Sequence, residues 1–142
     1  MEFFNFANKD NVLEVTVLPK EVDDLSSNGD LYVGIQVTSN GFCGINDLWL
    51  FAPDIKEFCN SLKQLEKTRL GEASLSSVIP GEFEIVVKSV DSVGHMAVSG
   101  KTGYEVIGDN ISFFHCIEFG FEIDPSSLIK ALKNETVAQY IT

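Results

Sequence analysis

The stretch "ISFFHCIEFGFEIDPSSL", Ile111 to Leu128, carries the longest two-residue alternation in the chain and breaks off at Asp-Pro. Successive side chains alternate across a strand, so Ile111, Phe113, His115, Ile117, Phe119, Phe121 and Ile123 share one face. Ser112, Phe114, Cys116, Glu118, Gly120 and Glu122 share the other. His115, on the apolar side, reads as a hydrogen-bonded core residue. At the break, Asp124 can cap the orphan amides of a helix whose first residue is Pro125, with Leu128, Ile129 and Leu132 as its buried stripe.

The same period recurs upstream. "LEVTVL" sets Leu13, Val15 and Val17 against Glu14 and Thr16. "LYVGIQVTS" turns Leu31, Val33, Ile35 and Val37 inward and Tyr32, Gly34, Gln36 and Thr38 outward. Between them "PKEVDDLSSNGD" is a polar, turn-rich connection. Asn40 to Phe42 marks a turn that opens into the short strand "DLWLF", with Trp49 assigned to the core. "GEFEIVVKSVDSVGHMAVSGK" places Phe83, Ile85 and Val87 inward and reads as a hairpin around Asp91 to Gly94. One segment changes period: Ile55, Phe58, Cys59, Leu62 and Leu65 recur at helical spacing in "PDIKEFCNSLKQLEKTRLG". Asp54 with Glu57 suits its N-terminal cap, and Lys67, Arg69 and Gly71 its C-terminal end. The expected fold is α+β, a mainly antiparallel sheet or curved meander with two amphipathic helices, in a single domain spanning residues 1–142.

Composition narrows the function. Hydrophobic residues make up 44% of the 142, too much for an acidic disordered chain, and a chain of about 150 residues buries about 70% of its unfolded surface. Twenty-one acidic residues against ten basic ones give a net charge of −11, which repels nucleic acid and anionic membranes and suits a basic partner. Six of the basic residues (Lys56, Lys63, Lys67, Arg69, Lys130 and Lys133) fall in the two helical segments, leaving the strands and loops more acidic than the total. Cys43, Cys59 and Cys116 show no paired or metal-ligand spacing, so a reducing compartment fits. The opening "MEFFNFANKD" lacks a signal-peptide pattern and no run reaches the ~18 apolar residues of a span, so the expected location is the cytoplasm.

Searches for chemistry end without a constellation. Glu118 and Glu122, four residues apart in one strand, stand about 13 Å apart at a rise of ~3.3 Å per residue. They could form the carboxylate pair of a glycosidase, which needs about 5–9.5 Å, only through a cross-strand neighbour such as Glu82 or Glu84. His95 and His115 are too few for zinc without Cys or acidic help at a recognisable spacing. His115 and Cys116 point to opposite faces. Asp24, Ser26, Asn28 and Gly29 match the early positions of a calcium loop, but position twelve would be Ile35. No cofactor, metal or catalytic residue is therefore expected. Glu82, Glu84, Glu118 and Glu122 instead read as an exposed acidic face for a partner, and Tyr32 and Phe114 as aromatics on polar faces that could anchor it. A structural or subunit-interaction domain, or a hydrolase using acidic residues on the sheet, are the competing readings.

The segments "GFCGINDLWLFAPDIKEFCNSLKQLEK", "GEFEIVVKSVDSVGHMAVSGK" and "IEFGFEIDPSSL" together resemble the WapI family of immunity proteins, over roughly residues 10–133. The elements carrying the likeness are the Trp49 strand leading into a helix, the Asp91 to His95 hairpin and the Phe119 to Pro125 ending. The resemblance implies a bacterial protein that protects against the C-terminal domain of a wall-associated, contact-dependent toxin. It would bind and neutralise that cognate toxin, often a basic nuclease, and do no chemistry of its own. None of the matching motifs identifies toxin contacts.

Overall fold

Eight strands and three helices are arranged in the computed structural model, which describes residues 1–19 and 29–142. Residues 20–28 of the turn-rich connection, with the calcium-loop candidates Asp24, Ser26 and Asn28, lie outside the described residues. The first sheet is formed by β1 (Glu2–Ala7), β2 (Val12–Val17), β3 (Leu31–Ser39) and β4 (Phe42–Leu50), paired antiparallel in that order. After α1 (Ala52–Thr68), the strands β5 (Glu72–Ser76), β6 (Phe83–Ser89), β7 (Met96–Ile107) and β8 (Ser112–Ile123) form the second sheet, again in chain order. Helices α2 (Pro125–Lys133) and α3 (Glu135–Tyr140) complete the α+β arrangement.

Period-two burial turns the first sheet's Leu13, Val15, Val33, Ile35, Val37, Leu48 and Leu50 into the core. Phe83, Ile85, Val87, Val98, Phe119 and Phe121 do the same in the second, and Ile55, Phe58, Cys59, Leu62 and Leu65 complete one shared cluster from α1. Asn40 and Gly41, both at positive φ, close the β3–β4 hairpin as a two-residue turn matched to strand twist. Where β4 meets the second sheet, Gly44 carries no side chain and Ile117 of β8 fills the space.

Several local expectations are corrected. The N-cap of α1 is Phe51, not Asp54; the Ala52 amide donates to the Asp30 carboxylate at 2.8 Å, and Asp54 sits in the first turn. Trp49 leaves the core: odd residues of β4 face outward, and its half-buried ring lies 5.3 Å from that of Tyr32 on the neighbouring strand. His115 is exposed because β8 runs on past the layer that covers its apolar face. In α2, Asp124 does cap Ser126, but Ile129 is exposed and Ser127, Leu128 and Ala131 are the buried residues. The third helix, α3, is a short one capped by Asn134, whose side chain accepts from the Thr136 and Val137 amides.

Candidate functional site

The register of the second sheet decides what its glutamates can do. Glu84 of β6 stands opposite Lys101 of β7, which stands opposite Glu118 of β8. Lys101 Nζ approaches Glu84 at 4.0 Å, with both side chains partly exposed. Glu84 and Glu118 are thus two inter-strand spacings apart, about 10 Å, with a cation between them. Glu122 lies in another row, beside Ala97 and then Lys88. Glu118 and Glu122 are both exposed, but this face is a lattice of alternating charge, and it assembles no pair of glutamates able to share a proton. Tyr32 lies on the other sheet, against Trp49, apart from this row.

Glu82 is placed differently. It precedes β6 where β4 crosses β7, and its backbone oxygen accepts from Thr102 Oγ1, the Gly103 amide and Asn46 Nδ2. Buried Asn46 also donates to the Gly103 oxygen at 2.8 Å and to Thr102 Oγ1 at 3.1 Å, so one side chain fastens β4 to β7. Burial, and then the nearby Asp47 carboxylate, raise Glu82 above the ordinary carboxylate range. Glu82 and Asp47 form a like-charged pair, and no ion pair among the described residues relieves it.

Beyond this junction the second sheet narrows to two strands. Pairing of β6 with β7 ends at Phe83 and Thr102, whereas β7 and β8 continue through five further pairs, from Gly103–Cys116 to Ile107–Ser112. Directly opposed residues share a face. The core parity of Val98–Phe121 and Thr102–Ile117 therefore continues as Tyr104–His115 and Val106–Phe113, which are exposed. Glu105 and Phe114 occupy the reverse face. Phe114 shields Gly103, where a Cβ would fall 2.7 Å from the ring. Phe113 and Phe114 are each 55% exposed. Gly44 and Ile45 of β4 line an open cleft with Tyr104 and His115, and Ile45 is 73% exposed. Scattered apolar groups on a surface are ordinary, but a grouped set marks a contact surface. Cys43 and Cys116 line the cleft as free thiols.

Alternation alone concealed this arm. The pattern of β8 is uninterrupted from Ile111 to Ile123 and carries no sign of where the covering layer stops. The available signal was the unbroken apolar parity on both sides of the turn at Gly108 to Asn110, longer than neighbouring strands could flank.

Among the described residues no group of three or more His, Cys, Asp or Glu side chains is placed to hold a metal, and no helix is long and apolar enough to cross a membrane. The immunity protein WapI-like family model matches residues 4–135. The chain belongs to that family. The match takes in α1, α2 and nearly all of both sheets, so the arm and the Glu82–Asp47 junction lie within the matched residues. No curated protein and no solved structure matches the chain.

Proposed function

We propose that this WapI-like immunity protein acts in the bacterial cytoplasm by binding a cognate toxin domain, a basic nuclease, and blocking it stoichiometrically without chemistry of its own. The family match over residues 4–135 carries this reading. A net charge of −11 supports the basic character of the partner, since an acidic inhibitor speeds association and offers carboxylates to the cations a nuclease uses for nucleic acid. The glutamate rows support binding over turnover, since Lys101 separates Glu84 from Glu118. The test is co-expression with the cognate toxin domain. Growth should be restored in proportion to the amount of immunity protein made; toxicity that persists with the protein soluble and in excess contradicts the proposal.

A further inference from the structure

We propose that the projecting β7–β8 arm, with the facing edge of β4, is the surface that docks the toxin domain, receiving a basic face with an apolar centre ringed by Lys and Arg. This rests on the toxin-binding reading above.

The first support is that the arm is built against ordinary surface rules. A two-stranded ribbon is marginal in water by itself, and exposed edges are normally blunted by Lys, Pro or a bulge. From Thr102 to Asp124 the sequence has no Lys, Arg or Pro, and the β7–β8 register has no shift. Strand β8 is the last of its sheet, so among the described residues one row of its backbone groups has no strand beside it. Tyr104, Val106 and Phe113 are exposed on one face of this ribbon and Phe114 on the other, and Cys43, Gly44 and Ile45 of β4 line the cleft beside Tyr104 and His115. Aromatic groups held on a stiff hairpin lose little freedom on contact, which is what interface hot spots require.

Charge selects the occupant. Neither segment that builds the surface, residues 29–55 and 102–129, contains a Lys or Arg, while Glu105 and Asp109 lie along the arm and Asp47 beside Glu82 at its root. A second copy of the chain would set these carboxylates against their own kind, with −11 on each partner. A basic protein supplies the missing counter-charges at the rim while its apolar centre covers the aromatics. The cations of this chain lie chiefly along α1 and α2.

The experiment uses the full chain and the cognate toxin domain. Tyr104→Ala with Phe113→Ser, and separately Val106→Arg, are titrated against that domain alongside wild type and Lys63→Ala on α1. Circular dichroism and urea midpoints check folding. The arm variants should weaken binding by about 30-fold or more, the scale of a lost hot spot, and Lys63→Ala should bind as wild type does. If an arm variant does not fold, alkylation of the wild-type complex decides: Cys43 and Cys116 should lose reactivity when the toxin domain is bound. Arm variants that bind within about threefold of wild type, or full alkylation of both thiols in the complex, overturn the docking surface and leave the toxin-binding reading standing. A wild-type dimer that the arm substitutions dissociate, formed without toxin, also overturns it. Absence of any wild-type complex defeats the toxin-binding reading and this inference with it.

Discussion

Gly44 lets the two sheets close on each other, and adding one methyl group there should force them apart. A Cβ at this position would lie 2.6 Å from Ile117 Cγ2, 3.6 Å from Ile117 Cβ and 3.4 Å from Val37 Cγ1. Ile117 cannot swing away cheaply, because a β-branched side chain is stiff at χ1. Gly44 is not among the positive-φ glycines, so the backbone itself accepts alanine and packing decides the outcome. Overpacking costs about 1–3 kcal/mol. The reduced freedom of the unfolded chain returns about 0.4–1 kcal/mol. Gly44→Ala should therefore lose up to roughly 2.6 kcal/mol, the difference of those two ranges, seen as a lower urea midpoint at unchanged slope. Ile117→Ala removes the offending methyl, so the double variant should be more stable than the sum of the single losses, by about 0.5–3 kcal/mol of coupling. A raised midpoint for Gly44→Ala, or strict additivity in the cycle, would refute this account of the junction.

Three further outcomes follow from the same geometry. The Asp91 hydrogen bond, then its charge, raise His95 above its ordinary value near 6.5, so the pair's contribution is complete below that value and is lost as pH rises through the raised one; Asp91→Asn should return the His95 NMR titration to the ordinary range, and an unmoved midpoint refutes the pairing. Burial pushes the Cys59 thiol up to about 12 while Cys43 and Cys116 are exposed, so a thiol reagent at neutral pH should count two groups in the native protein and three after denaturation; rapid reaction of a third native thiol would contradict the packing of α1. Hydrogen bonds from the Ser126 amide and hydroxyl lower the Asp124 carboxyl, so its stabilisation is present above the ordinary carboxylate range and fades as pH falls through the lowered value; Asp124→Ala should lower the urea midpoint at pH 7 more than at pH 2.5, and equal losses would show that the carboxylate is no cap.

Local pattern made much of this architecture readable. The buried stripe of α1, the turn at Asn40–Gly41 and the Asp124–Pro125 helix start all express chemistry contained within a few neighbouring residues. Features set by distant parts of the chain were not readable. Phe3, Phe4 and Phe6 of β1 are all buried, because a register shift between Glu2 and Phe4 breaks the alternation that would mark a strand. The cap of α1 comes from Asp30, twenty-two positions away. Strand β5 is only five residues long and follows directly on the end of a helix. Within the candidate site, the exposed parity of Glu118 and Glu122 was legible. The neutralising position of Lys101, the approach of Asp47 to Glu82 and the unclad arm depend on register between strands, which one sequence does not specify.

The account rests on a direct complex between this acidic WapI-like protein and a basic toxin domain. Its most direct test is calorimetric titration of the full chain with the cognate toxin domain, repeated at rising salt. The prediction is a saturable one-to-one complex whose formation inhibits the toxin and whose affinity falls steadily as salt screens the attraction. Failure to form any complex at low salt, with both proteins folded, would contradict it.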